Sequence, residues 1–389
     1  MRIFFVLMLI IGIFDDHAAA QTRFSFGTTN LLDFALVPPV YQEEDGFKRL
    51  FNGKNLDGWQ RVNTAQSTWS VKDGMLICTG KPTGELRTER MYQNFILEVE
   101  WRHMKPKGNA GIFVWADDIT SKGVPFHRSI EIQVLENAYG NTRGYTTHGD
   151  IFPIHGAKMT PVNGRGGSRA FPTENRSNPS PQWNHYRIEC REGNVSLSVN
   201  GKLVTQGKKC SPSKGYICIE SEGGVAHYRN MKIKVLEDTP VEKSDIAIAD
   251  RGFNTLYNGI DLSGFKTTGM WRSNDWRLNC VSGDGGELST KQKFGATRFI
   301  VDFRTSEKLP RFQFAGCEFE LDSVKATLAK GNGWNRLEFQ FGEKKQTLAI
   351  NGEPVVEKSE ILDPNGELKI ICDGPTEFAN LYVGQINAK

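Results

Sequence analysis

Alternation of apolar and polar positions recurs along most of the chain and predicts strands. In FILEVEWRHM, Leu97, Val99 and Trp101 share one face while Glu98, Glu100 and Arg102 share the other, as in a half-buried strand. The segments SIEIQVLE, HYRIEC, VSLSVNGKLV, YICIESE and MKIKVLE keep the same period of two, with Gly, Asn and Pro turns between them. The Asn200-Gly201 pair between VSLSV and KLV is a hairpin signal. Stripes of period 3.6 are hard to find, so the expected fold is all-β, an antiparallel two-sheet sandwich of jelly-roll type.

The pattern is written twice. RLFNGKNLDGWQ at Arg49 returns as TLYNGIDLSGFK at Thr255, and further anchors follow in order. Trp69 matches Trp276, GELRT at Gly84 matches GELST at Gly286, and VEWR matches VDFR. Trp183-Asn184 matches Trp334-Asn335, and Asn200-Gly201 matches Asn351-Gly352. Two tandem modules are therefore expected, at 47–237 and 253–389, joined by a charged linker at 238–252 that lacks aromatics. Between Arg102 and Trp183 lie 80 residues, against 29 between Arg304 and Trp334. No counterpart of SIEIQVLE, or of the long loop after it, is recognisable in the second module, so function is expected in the first.

Charge narrows the partners. With 48 Lys+Arg against 45 Asp+Glu and no dense basic block, the chain is not expected to bind nucleic acid. Residues 1–20 carry Arg2, an apolar run from Ile3 to Phe14 and the small residues Ala18, Ala19 and Ala20. That is the layout of a secretory signal peptide, too short to span a bilayer comfortably. A secreted or periplasmic protein is expected, without stable membrane insertion after cleavage, and 21–46 reads as an N-terminal arm. The seven cysteines show no Cys-x-x-Cys spacing, which favours buried thiols or one or two disulfides over a zinc site.

Candidate chemistry concentrates on two strands. In SIEIQVLE, Glu131 and Gln133 face away from Ile130, Ile132 and Val134, a rigid acceptor-and-donor pair suited to gripping sugar hydroxyls or moving a proton. In YICIESEGG, Glu220 and Glu222 share a face and end at a glycine pair that admits close approach. Neighbouring strands of this kind form an acidic cleft. Glu131 with Glu220 or Glu222 supplies the two carboxyl groups of a glycosidase. The loop TTHGDIFPIHGAKMTPVNGRGG adds His148, Asp150, His155, Lys158 and Arg165, while His127 and Arg128 precede the Glu131 strand. Three His and a carboxylate could bind a divalent metal, but no compact metal-ligand spacing is present, so the expectation is no metal or other cofactor, with a divalent metal as the alternative. Trp115 in NAGIFVWAD is either core or a stacking platform for a sugar.

The ordered set LFNGKNLDGW, WSVKDGML, GELRT, FILEVEWR, NAGIFVW, EIQVLE, PQWNHYRIEC, VNGKLV and GYICIESEGGVAHYRNMKIK resembles the 3-keto-disaccharide hydrolase domain family over residues 47–236. The second module resembles it only in scaffold pieces. The resemblance implies a concanavalin A-like jelly roll acting on glycosides already oxidised at C3, by proton abstraction, elimination and addition of water. It implies Glu131 as base or acid, Gln133 as a substrate ligand, and Glu220 or Glu222 as second proton carrier. Arg128 or His155 would stabilise negative charge, with His127, Lys158 and Trp115 at the substrate. Where the family carries a glutamine-histidine-glycine run, this chain has Glu220-Ser221-Glu222-Gly223. The alternative expectation is a lectin-like carbohydrate-binding module without turnover.

Overall fold

The alternation read from FILEVEWRHM is realised in the strand Phe95–His103, where Leu97, Val99 and Trp101 are buried and Glu98, Glu100 and Arg102 are partly exposed. This strand lies inside a nine-stranded antiparallel sheet between Asn184–Arg191 and Ala226–Val235. The computed structural model describes residues 45–139, 148–249, 251–281, 285–322, 327–329, 331–342, 345–358 and 365–386. The expected signal peptide and nearly all of the expected N-terminal arm lie outside the described residues. No described helix is long and apolar enough to cross a membrane.

A six-stranded sheet forms the second layer, in the order Trp59–Val62, Gly84–Thr88, Tyr216–Ser221, Gly111–Ala116, Ser129–Gln133, Ile151–Ile154. Leu86, Ile112, Ile130, Ile132, Ile217 and Ile219 turn inward and pack on Leu97, Val99, Tyr186 and Ile188 of the larger sheet. The strands alternate, so Glu85, Phe113, Glu131, Gln133, Cys218 and Glu220 fall on the opposite face. That face is itself covered, because Phe113, Ala116, Tyr216 and Cys218 gather Met91, Phe126 and Ile154 over them.

The long loop expected after the Glu131 strand contains two short strands. Ile151–Ile154 extends the six-stranded sheet beside Ser129–Gln133, and Lys158–Pro161 joins the edge of the nine-stranded sheet. His155 and Gly156, both at positive φ, make the turn between the layers. Residues 140–147 lie outside the described residues. The Asn200-Gly201 hairpin is present, with φ of 48° and 85° joining Asn194–Val199 to Lys202–Ser211, and Asn351-Gly352 repeats it at 52° and 88°.

Residues 253–386 contain a second sandwich with eight- and five-stranded sheets. The larger sheet runs Trp271–Asn274, Arg277–Cys280, Thr376–Gln385, Thr297–Arg304, Asn335–Phe341, Gln346–Ile350, Glu353–Lys358, the spatial order of the corresponding strands in the first sandwich. Register corrects one anchor. Trp69 pairs with Cys78 as Trp271 pairs with Cys280, so Trp271 holds the position of Trp69, and Trp276 belongs to the following turn. The seven cysteines are free thiols, six of them buried.

The first sandwich's loop at 117–125 docks on the second sandwich's larger sheet. Asp302 accepts from the Gly123 N–H at 2.8 Å and is paired with Arg336, which also donates to the Thr120 carbonyl at 3.0 Å. Asn380 Nδ2 donates to the carbonyls of Ser121 and Val124, and Val62, Ile119, Phe253, Ile300 and Tyr382 form an apolar cluster beside this network. The connecting segment runs along the first sandwich, with the Ile248 N–H on Asp117 and Arg251 on Asp118.

Candidate active site

Glu131 and Glu220 lie on strands separated by one other, Gly111–Ala116, and the residue between them is glycine. A β-carbon on Gly111 would stand 3.0 Å from Glu131 Oε1, 3.0 Å from Glu220 Oε2 and 2.8 Å from a Phe113 ring carbon. The two carboxyl groups therefore lean over the bare backbone, their oxygens within twice that distance of each other. Two full charges about 6 Å apart repel by roughly 3 kcal/mol at an effective dielectric of 20, so the pair resists double ionisation.

The acidity of the cluster follows from this crowding. Burial pushes Glu131 well above the usual carboxylate range and the neighbouring Glu222 adds to it, while Arg169 pulls it back. Glu220 is also pushed well up by burial, then by Glu131 and Glu222, and its Oε2 is buried with no hydrogen-bond partner. Glu222, less buried than these two, is raised to about 7 by burial and by Asp275 of the second sandwich. Asn109 Nδ2 donates to Glu222 Oε2, and Gln133 Nε2 donates to Asn109 Oδ1 at 2.8 Å and to the Ala110 carbonyl at 3.2 Å. Gln133 is thereby tied into the site through Asn109.

Beneath Glu220, directly opposite it in register, lies Glu85. Glu85 is fully buried, accepts from the His127 N–H at 3.1 Å and contacts His127 Nδ1 through its other oxygen. The Cys218 sulfur is 3.9 Å from that Nδ1, so Glu85, His127 and Cys218 are a three-ligand set within reach of one cation. The fit is poor. Glu85 and His127 already contact each other through Oε2 and Nδ1, and burial pushes the Cys218 thiol well up, away from the thiolate a metal needs. These residues read as a hydrogen-bonded floor to the site.

Several expected site residues are elsewhere. Arg128 is committed to Asp117 by two hydrogen bonds, at 3.0 and 2.9 Å. Lys158 is exposed on the edge of the other sheet, in the strand that pairs with Lys202–Ser211. Trp115 is wholly buried at positive φ, its Nε1 donating to the Gln93 carbonyl, and offers no face to a sugar. His148 is buried and Arg165 lies over Phe171, whereas His155, stacked on Phe126 at the turn between sheets, stays within electrostatic reach of Glu85 and His127.

The sequence reading missed Arg169, Gly111, Asn109 and Glu85. Arg169 pairs with buried Asp150 and sits 3.3 Å above the Phe152 ring, and Phe152 is the cross-strand partner of Glu131. It is the cation acting on Glu131, brought from 38 residues away by the fold. Gly111 did carry a signal, since glycine inside a strand marks close approach. Glu85 was hidden because GELRT recurs as GELST and looked like scaffold.

The second sandwich holds a telling counterpart. Leu288 pairs with Ile370 as Leu86 pairs with Ile219, which aligns the smaller sheets. On that register the strand Cys317–Phe319 takes the place of Ser129–Gln133, although no such strand was recognisable in sequence. Glu318 then stands where Glu131 does, Asp373 where Glu222 does, Ile371 where Glu220 does, and Arg311 where Gly111 does. Arg311 fills the gap and bridges Glu318 at 3.1 Å and Asp373 at 3.4 Å. Where the first sandwich has Glu131 and Glu222 with a glycine beside them, the second has Glu318 and Asp373 joined by an arginine, and Glu220 has become isoleucine.

A candidate glycosyl hydrolase from Parabacteroides distasonis is 22% identical over 51% of this chain and 99% of its own, with a TM-score of 0.40. A carbohydrate-binding module of Bacillus subtilis is 11% identical over 46% and 95%, with a TM-score of 0.33. A β-glucanase of Bacillus licheniformis is 14% identical over 49% and 97%, also with a TM-score of 0.33. No curated protein matches in sequence. The sequence profile of 3-keto-alpha-glucoside-1,2-lyase-like domains matches residues 46–234, the span of the first sandwich, and these residues belong to that family.

Proposed function

We propose that the first sandwich cleaves 3-keto-glycosides by elimination followed by addition of water. The observation that carries this reading is the pair Glu131 and Glu220, two buried carboxyl groups converging over Gly111 with no salt-bridge partner among the described residues. Carboxyl groups so crowded resist double ionisation, so the cluster holds protonated and ionised forms side by side, an acid next to a base. A carbonyl at C3 of the sugar acidifies the hydrogen at C2. Glu131 in its anionic form, which burial and Glu222 oppose and Arg169 favours, takes that proton; electron density passes to the C3 oxygen as an enolate. The C1–O bond then breaks, C1 and C2 become doubly bonded, and the aglycone oxygen takes a proton from Glu222, which is protonated up to about pH 7. Water adds across the double bond in a second step, returning the 3-keto sugar. Arg169 offers the positive charge that an enolate requires, and Gln133, held by Asn109, orients the hydroxyls. No carboxylate needs to act as a nucleophile.

The second sandwich is read as a degenerate copy whose site Arg311 has closed. The apolar run and Ala18–Ala20 support export, so the substrate would be met outside the cytoplasm. Mass spectrometry of the mature N-terminus tests this, and a chain retaining Met1 refutes it.

The decisive experiment incubates the purified chain with a 3-keto-disaccharide and with its unoxidised parent, followed by NMR. Cleavage of the keto sugar alone is expected. Glu131→Gln should abolish turnover while holding sugar affinity within about tenfold, ~1.4 kcal/mol. Binding without turnover in the wild type would overturn the enzymatic reading in favour of a lectin-like module.

A further inference from the structure

The second sandwich reaches the rim of the first one's site. Its strands Trp271–Asn274 and Arg277–Cys280 are joined by a tight turn in which Asp275 adopts φ 54°. Tyr257 Oη donates to the Asp275 carbonyl at 2.8 Å and anchors the turn to its own sandwich. The Asp275 carboxylate then crosses to the first sandwich. It accepts the Thr83 N–H at 2.7 Å and the Thr83 hydroxyl at 2.6 Å.

Thr83 ends a short loop whose other side is fastened to the strand end that bears Glu222. Ser221 Oγ donates to the Pro82 carbonyl at 2.9 Å, and the Gly223 N–H donates to the Gly80 carbonyl at 2.8 Å. The backbones touch there, for a β-carbon on Gly80 would lie 2.3 Å from Gly224 N. Gly259 of the second sandwich closes on the same loop, where a β-carbon would lie 2.5 Å from Pro82 Cβ. The loop is gripped from both sandwiches, and Glu222 is at the end of the grip.

We propose that the second sandwich completes the active site, with Asp275 as a positioning residue that fixes residues 80–83 against the strand end of Glu222 and keeps a negative charge beside that carboxyl group. The inference rests on the reading of Glu222 as a proton carrier. Among the described residues, Glu222 is faced by Glu131 and Glu220 from the sheet, by its donor Asn109, and by Asp275 from the second sandwich. His103 lies under the neighbouring Gly108 and Gly224. Burial is the first cause of the elevation of Glu222, and Asp275 is the second. This gives the second sandwich a role that needs no binding site of its own: after burial, it adds to the pH at which the first one's proton donor works.

The test is Asp275→Asn in the full chain, which keeps an acceptor for the Thr83 N–H and removes the charge. The titration midpoint of Glu222, followed by carbon NMR of the glutamate carboxyls, is expected to fall by about half a pH unit or more. The alkaline limb of keto-glycoside turnover should fall with it, because a proton donor is lost as pH rises. Asp275→Glu should restore both. An unchanged midpoint in a folded Asp275→Asn variant overturns the proposal. Should that variant not fold, Thr83→Ala breaks one side of the grip with the charge still present, and an unmoved midpoint with unchanged kcat overturns the positioning role. A wild-type chain without turnover refutes the proposed reaction only, and the NMR titration then decides the role of Asp275 by itself.

Discussion

Replacing Gly111 with alanine tests the geometry of the site at its narrowest point. The added methyl would lie 3.0 Å from an oxygen of Glu131, 3.0 Å from an oxygen of Glu220 and 2.8 Å from a carbon of Phe113. Ordinary contacts to a β-carbon begin near 3.4 Å, so each neighbour must withdraw by about half an ångström. Overpacking of this kind costs about 1–3 kcal/mol of stability. Displacing a reacting group by a sizeable fraction of an ångström costs about 10- to 100-fold in rate. The expected result is therefore a modest loss in urea denaturation and a fall in kcat of that size on a 3-keto-glycoside, with KM little changed. Gly111→Arg goes further and reproduces what the second sandwich has at Arg311. Its guanidinium should pair with the carboxylates, return Glu131 and Glu220 towards the ordinary range in a carboxyl NMR titration, and abolish turnover. A folded Gly111→Arg chain that retained wild-type turnover would refute the claim that convergence over the glycine makes the site.

Three other perturbations follow from the same electrostatics. Glu220 holds its proton more tightly in the fold than in the unfolded chain, so its contribution is full below the ordinary glutamate range and is lost as pH rises through the elevated value. Glu220→Gln should then gain thermal stability over the wild type as pH is raised from 5 to 9, and a gain that shrinks over that range contradicts the assignment. Arg169→Gln removes the cation that lowers Glu131, so the acid limb of kcat/KM should move to higher pH; a limb that stays in place takes Glu131 out of the role of base. Arg128→Ala leaves Asp117 without its two-pronged partner and should cost about 1–3 kcal/mol in denaturation, while kcat and KM stay within about twofold because the guanidinium is committed to Asp117.

Period-two alternation and paired hairpin signals were enough to determine an all-β sandwich, because strand faces are decided by neighbours two residues apart. The same alternation put Glu131, Gln133, Glu220 and Glu222 on the faces they occupy, opposite Ile130, Ile132 and Ile219. Even the closed second site was within reach of the sequence in principle, since it turns on the exchange of glycine for arginine and of a glutamate for isoleucine, but only strand register showed which residues these are. The tertiary structure alone decided which charges meet. Arg128 adjoins the Glu131 strand in sequence and is drawn off by Asp117, whereas Arg169 arrives from a distant segment through Asp150 and Phe152. Asp275 comes from the other sandwich altogether. Local pattern determines which way a side chain points, because that is a property of the backbone's own period; ion pairs are settled by whichever opposite charge the completed fold brings within a few ångströms, and that choice is not written in any local stretch.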